Sequence, residues 1–164
     1  MMSSINEYVL LKMPPEERLD YCKKILMTEK DESLRWDAVW LVGEMAEKAG
    51  KNDPLFDKAA DLMSWVLEND DNGVVKHEAC YQIAMRKMVN KIPDLFKSIR
   101  NDKNGLVLHE SIEALGLLNA YDSKEILLEG LKSSNEDVKQ TAQFVLGRLS
   151  RLENKKAQAK NYHL

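Results

Sequence analysis

The sequence has few of the residues that build disulfide-linked, turn-rich or membrane-spanning proteins. Cys22 and Cys80 are its only cysteines, too few for a disulfide scaffold and too far apart for a CxxC zinc or redox site. Seven glycines and four prolines argue against turn-rich β architectures and collagen-like repeats. No apolar run reaches the length of about 18 residues that a membrane helix needs, and no basic segment precedes an apolar stretch at the start. We therefore expect neither membrane insertion nor export, and a cytoplasmic location.

The charge balance excludes a strongly basic nucleic-acid-binding protein. Lys and Arg total 24 against 27 Asp and Glu, which gives a net charge of −3. The short lysine-rich stretch at 153–164 would contribute only weak, salt-sensitive binding, so we expect no nucleic-acid partner. With 44% hydrophobic and 31% charged residues, the 164-residue chain has the composition of one globular domain with a sizeable core.

Apolar residues recur at intervals of three and four from residue 15 onward, and no stretch keeps a period of two. This pattern predicts an all-α fold. Eight helices are predicted, at about 15–28, 33–49, 54–69, 74–88, 92–101, 106–118, 123–132 and 136–152. Short polar links join them, which favours four antiparallel hairpins. Residues 1–14 are then an N-terminal segment, 15–152 the folded domain, and 153–164 a flexible C-terminal tail.

The second helices of the four hairpins align on a small residue near the end of the apolar run: Gly43, Ala84, Gly116 and Gly147. The offsets between successive hairpins are 41, 32 and 31 residues. A period of thirty-odd residues with two helices in each repeat predicts an α-solenoid, and the small residues would let stacked helices approach closely. The stretch 137–147, with the sequence DVKQTAQFVLG, resembles HEAT-like repeats.

Two of the three histidines, His77 and His109, are each followed by glutamate and occupy the same position in adjacent repeats. We expect each pair in the first turn of its helix, facing the concave surface. Because stacked hairpins place equivalent positions side by side, Glu78 and Glu110 would converge there with the two imidazoles. Nitrogen and oxygen ligands without thiolate suit iron(II), manganese or zinc. The alternative is that repeat duplication copied two structural or solvated pairs.

The segments at 75–80 and 108–116 resemble the His-Glu motifs of deoxyhypusine hydroxylase, a HEAT-repeat di-iron monooxygenase. In that family each half has four repeats, with the His-Glu pair in the middle two. The present chain has the same arrangement, because Trp36-Asp37 and Gln140-Thr141 fill that position in its outer repeats. The resemblance covers residues 15–152 and about one half of the family's length.

The resemblance implies that His77, His109 and Glu110 are metal ligands. It leaves two roles for Glu78, as a further ligand or as a catalytic carboxylate that faces the substrate. The family's two irons are held by ligands from both halves, whereas this chain supplies one set. We therefore expect a homodimer that completes a di-iron (Fe2+) centre.

The activity implied by the resemblance is the oxygen-dependent hydroxylation of an alkylamine side chain, on a protein or on a small molecule. The alternative is a metal-free HEAT-repeat scaffold that mediates protein–protein interaction. HEAT-like proteins of the phycobilin-lyase type share this repeat class as well. No Gly-rich phosphate loop or GxSxG elbow indicates a nucleotide-dependent enzyme or a hydrolase.

Four further residues allow two interpretations each. Trp36 and Trp40 share one helix face and either line a pocket for a cationic amine or cover a solenoid end or dimer contact. Cys80 is either a ligand three residues after the first histidine or a small buried residue. Glu113 lies one turn after the second histidine and either orients it or is an ordinary surface glutamate.

Overall fold

A computed structural model describes residues 5–161, and within that range the chain is all-α, as predicted. The α-helices in this range are α1 Glu7–Leu10, α2 Pro15–Thr28, α3 Glu32–Ala49, α4 Pro54–Asn69, α5 Gly73–Met85, α6 Ile92–Asn101, α7 Gly105–Leu117, α8 Lys124–Gly130 and α9 Glu136–Asn161. Short 3-10 turns occupy Val89–Lys91 and Tyr121–Ser123. Each predicted helix has a counterpart, and α1 is an additional short helix in the predicted N-terminal segment.

Short polar side chains cap the N-termini of four helices. Asp31 and Asp53 cap α3 and α4, and Asn72 and Asn104 cap α5 and α7, each by accepting hydrogen bonds from free backbone N–H groups. The hydroxyl and amide of Ser33 hold the pKa of Asp31 below its usual value by donating to its carboxylate. Because the two asparagines stand at equivalent repeat positions, α5 and α7 begin at equivalent points.

The chain divides into an N-terminal unit, which ends at Lys91 and contains α1–α5, and a C-terminal unit, which begins at Ile92 and contains α6–α9. In the N-terminal unit α3 packs on α5, while α4 contacts both helices and α2 contacts α3 and α4. In the C-terminal unit α7 packs on α6 and α9, and α9 packs on α8. Within each unit, therefore, the second helices of the two hairpins pack against each other.

Two of the four small residues that align the repeats lie where helices approach closely, and Gly147 does not. A Cβ atom on Gly43 of α3 would lie 1.9 Å from the side-chain oxygen of Gln82 on α5. A Cβ atom on Gly116 of α7 would lie 3.0 Å from a methyl group of Val145 on α9. On Gly147 the nearest atom would be the guanidinium of Arg151, at 3.5 Å. The predicted close approach is confirmed at Gly43 and Gly116.

A buried ion pair links the start of α3 to two loops of the N-terminal unit. Arg35 donates from Nε and Nη2 to both carboxylate oxygens of Asp70, at 2.8 and 3.1 Å. Its Nη1 donates to the backbone oxygens of Glu29 and Lys30, each at 3.1 Å. The guanidinium therefore joins the α2–α3 loop to the α4–α5 loop. The hydrogen bond to Asp70 raises the pKa of Arg35, so the guanidinium stays charged despite its burial.

Neither of the two cysteines is in a disulfide, and both are buried. Burial raises the pKa of the Cys22 thiol to about 12, so this thiol stays protonated near neutral pH. Cys80 is fully buried, in agreement with its interpretation as a small core residue. No helix within residues 5–161 is long and apolar enough to cross a membrane, and the cytoplasmic location stays a prediction.

The end of α9 lies beyond the predicted end at residue 152, and that boundary was wrong. The helix continues to Asn161, although the side chains of 153–161 are exposed. Seven of these nine residues are good helix formers, three Lys, two Ala, one Gln and one Glu, which favour helix without a buried face. The Lys156 ammonium lies 5.6 Å from the centre of the Tyr121 ring. The flexibility of the predicted tail stays a prediction, and residues 162–164 lie outside the described range.

Replacing Gly43 with alanine should lower the free energy of unfolding by about 1–3 kcal/mol, because the new methyl group would displace the buried Gln82 side chain. Gly147→Ala is the matched control. Gly147 stands at the equivalent repeat position in α9, and no atom would lie closer than 3.5 Å to its added Cβ atom. Since alanine favours helix over glycine by up to about 1 kcal/mol, this variant should be neutral or more stable. Urea unfolding measures both, and equal losses would contradict the close-approach role of Gly43.

Asp70→Asn should destabilise the protein by about 3 kcal/mol, because it leaves the buried Arg35 guanidinium without its buried counter-charge. Asp71→Asn is the control: its carboxylate contacts the same guanidinium at 3.0 Å, but its side chain is 95% exposed. An exposed partner of this kind contributes less than about 1 kcal/mol. Thermal and urea unfolding of the two variants would give similar losses if burial of the pair were unimportant.

Candidate metal site

Three side chains in the second and third turns of α7 bring potential metal ligands together. His109, Glu110 and Glu113 each offer one ligand atom, an imidazole nitrogen or a carboxylate oxygen. These three atoms lie within 4.8 Å of one another. Glu110 is 6% exposed, whereas the other two side chains are partly exposed. The spacing follows from the helix, because residues three and four apart share a face.

The two ring nitrogens of His109 have different partners. Nε2 lies 3.3 Å from a carboxylate oxygen of Glu113, one turn along the same helix. Nδ1 lies 2.7 Å from the hydroxyl oxygen of Thr141 on α9. The same hydroxyl lies 2.7 Å from the backbone oxygen of Asp137 and donates to it. The packing of α9 on α7 therefore holds the imidazole at the ring nitrogen that does not face Glu113.

The donor set fits a divalent cation. One imidazole nitrogen with two carboxylates suits iron(II), manganese or zinc, and thiolate is absent from the set. His109 Nε2 and a carboxylate oxygen of Glu113 lie 3.3 Å apart, close enough for both to bind one ion. A protonated His109 paired with Glu113 as an i, i+4 ion pair is the metal-free alternative for the same contact.

A groove of about 500 Å³ borders the site in the C-terminal unit. Its lining residues are Gly105, Leu106, His109, Asn135, Asp137, Gln140 and Thr141. The His109 side chain is 37% exposed, so the imidazole can be reached from this groove. The groove therefore gives an ion or a small polar molecule access to His109.

His77 and Glu78 occupy the equivalent turn of α5, in the N-terminal unit. Glu78 is buried, and its carboxylate accepts a hydrogen bond of 2.8 Å from the side-chain amide of Gln82. Gln82 in turn accepts a bond of 3.1 Å from Nε of Arg86, which also pairs with Glu47. This polar chain fixes the Glu78 carboxylate. The contribution of His77 and Glu78 to a metal site stays a sequence prediction.

The structure differs from the sequence prediction in where the His-Glu pairs lie. Because α5 and α7 begin at Gly73 and Gly105, one residue before the predicted starts, both histidines lie in the second turn and not in the first. The predicted first-turn position was therefore wrong, by the one residue that each asparagine cap adds to its helix.

The contacts of His109 include one that the sequence suggested and one that it did not. Glu113 was expected either to orient the imidazole or to be a plain surface residue, and its carboxylate lies 3.3 Å from Nε2, which agrees with the orienting role and also makes Glu113 a candidate ligand. The unexpected contact comes from Thr141, for which the repeat pattern predicted only that it fills the His-Glu position in the last repeat. The signal for this contact was that Thr141 stands one repeat after Glu110 at the same position.

Trp36 and Trp40 stack on each other, with ring centroids 6.2 Å apart and an angle of 14° between the planes. A groove of about 360 Å³ in the N-terminal unit runs beside Trp36 and Asp37. The stacking is compatible with both sequence interpretations, a cation pocket and a covering or dimer contact. Those alternatives stay predictions.

Comparison with known proteins gives a family and a fold. A family model of HEAT repeats matches residues 59–147. The solved structure of human deoxyhypusine hydroxylase in complex with glycerol superimposes with a TM-score of 0.70, at 24% sequence identity over 90% of this chain. The match covers 49% of that protein, so the present chain spans about half its length. No curated protein matches the sequence.

Proposed function

The chain belongs to the HEAT-repeat family, and we propose that it is a metal-dependent member with a hydroxylase-like function, whose ligands include His109 and Glu110. The repeat fold alone supports many binding functions, so the proposal depends on the site. The observation that carries it is the cluster of one imidazole and two carboxylates within 4.8 Å on α7.

The proposed ion is iron(II). An iron(II) ion held by imidazole and carboxylate ligands, with coordination positions left open, supplies oxygen activation. The carboxylates of Glu110 and Glu113 balance the charge of the ion, and Glu113 adds a ligand beyond those implied by the sequence.

His77 and Glu78 enter the proposal through their sequence register. They stand 32 residues before His109 and Glu110. They would add a second imidazole and a second carboxylate to the donor groups that the chain supplies. The Glu78 carboxylate, held by Gln82, has the charge to attract an alkylammonium group. We propose it as a metal ligand or as the catalytic carboxylate that positions an alkylamine substrate.

A homodimer is part of the proposal. The chain is about half as long as the hydroxylase whose fold it shares, and it contains one set of His-Glu pairs. Two copies related by a twofold axis would supply two sets, enough for two ions. The proposed substrate class is an alkylamine side chain on a protein or on a small molecule.

A metal-free scaffold is the second candidate. The contact of 3.3 Å between His109 Nε2 and Glu113 favours it, because an i, i+4 ion pair accounts for that distance without a metal. In this case the grooves would bind a protein partner, and the His-Glu pairs would have no ligand role.

Metal analysis combined with size determination separates the two candidates. We expect about one iron per chain after anaerobic loading of protein purified without a metal-affinity tag, and a dimeric mass. His109→Ala and Glu110→Gln should each lose the iron, because each removes a ligand. Glu125→Gln, on the exposed surface of α8, is the matched control and should keep it. Circular dichroism checks that every variant remains helical.

The outcomes distinguish the parts of the proposal. Loss of iron in His77→Ala would support the ligand role that the sequence predicts for His77, whereas full retention would restrict the site to α7. A monomer that binds iron would reject the dimer and keep the metal site. Absence of iron in the wild type would reject the metal-dependent function and leave the scaffold.

A further inference from the structure

We infer that Thr141 sets the tautomer of His109 and thereby presents the lone pair of Nε2 to the carboxylate of Glu113. Thr141 would be a positioning residue, since it acts through the imidazole. Its effect on metal binding rests on the proposed function, but the tautomer itself does not. Thr141 Oγ1 lies 2.7 Å from Nδ1 of His109 and 2.7 Å from the backbone oxygen of Asp137.

The direction of the hydrogen bonds follows from the number of protons. The Thr141 hydroxyl has one proton, and a backbone carbonyl such as that of Asp137 can only accept. A threonine inside a helix commonly donates to the carbonyl four residues earlier, and Thr141 does so. The hydroxyl proton is then used, so a lone pair of Oγ1 faces Nδ1 of His109. That nitrogen must therefore carry a proton.

The consequence appears at the other ring nitrogen. A neutral imidazole has one proton, so when Nδ1 is protonated Nε2 has a free lone pair. This lone pair faces the carboxylate of Glu113 at 3.3 Å, and the two electron-rich groups repel each other unless a proton or a metal ion lies between them. The tautomer therefore prepares Nε2 as a metal ligand, in the way that partners of metal-bound histidines generally do.

The repeat explains why this partner lies on α9. Thr141 has the position in α9 that Glu110 has in α7, and the packing of the two helices places it against the histidine of the preceding hairpin. A glutamate here would bring a further negative charge to Nδ1. Threonine supplies an uncharged acceptor whose proton is already directed at its own helix.

The experiment compares Thr141→Val, which keeps the shape and removes the hydroxyl, with Thr141→Ser, which keeps the hydroxyl. Long-range nitrogen–proton NMR spectra of the metal-free protein at about pH 8, above the ordinary histidine pKa, report which ring nitrogen is protonated. We expect the Nδ1–H form in the wild type and in Thr141→Ser, and a shift toward the Nε2–H form in Thr141→Val. Iron(II) affinity should fall about 10–100-fold in Thr141→Val and be rescued in Thr141→Ser.

Each outcome decides one point. An Nδ1–H form that persists in Thr141→Val would overturn the inference, whatever the protein binds. The expected tautomer shift in a protein whose wild type binds no iron would uphold the inference and reject the proposed function. A tautomer shift without a change in iron affinity would overturn the positioning role of Thr141 in metal binding.

Discussion

The packing of one hairpin's second helix on that of the next is the contact on which the rest of each unit depends. A two-helix repeat cannot bury its apolar face alone, so α3 packs on α5 and α7 on α9. Gly43 and Gly116 let these helices approach until a methyl group would not fit freely. In the C-terminal unit the same packing carries Thr141 to His109, so the core contact and the candidate site share one interface.

At the candidate site, a carboxylate that suits metal binding is costly to the stability of the fold. Glu110 is almost fully buried on α7, beside an imidazole and a second carboxylate, and such a group is expensive to hold in a protein interior. In the N-terminal unit, Arg35 pairs with Asp70, and Gln82 donates a hydrogen bond to Glu78. The physical argument for a metal at His109 is the donor set itself, because one imidazole and two carboxylates are ligand types that a divalent cation takes. HEAT repeats by themselves do not specify this chemistry.

The helices and their order were predictable because they depend on local properties. The spacing of apolar residues located each hairpin, and short polar side chains marked where helices begin. The errors were also local. With their asparagine caps, α5 and α7 begin one residue before the predicted starts. Good helix formers continue α9 beyond its last large apolar residue. Apolar periodicity shows which face is buried, but it does not show where an exposed helix stops.

The sequence by itself determined the all-α repeat fold and the phase of the two His-Glu pairs, because both depend on spacing along one helix or on a repeated period. Only the tertiary structure decided that Thr141 contacts Nδ1 of His109 and that Glu113 faces Nε2. His109 and Thr141 are 32 residues apart in the sequence, and their contact depends on how α9 is rotated and placed against α7. The side-chain rotamers determine which ring nitrogen contacts Thr141 and which contacts Glu113, and the repeat period of the sequence does not specify rotamers.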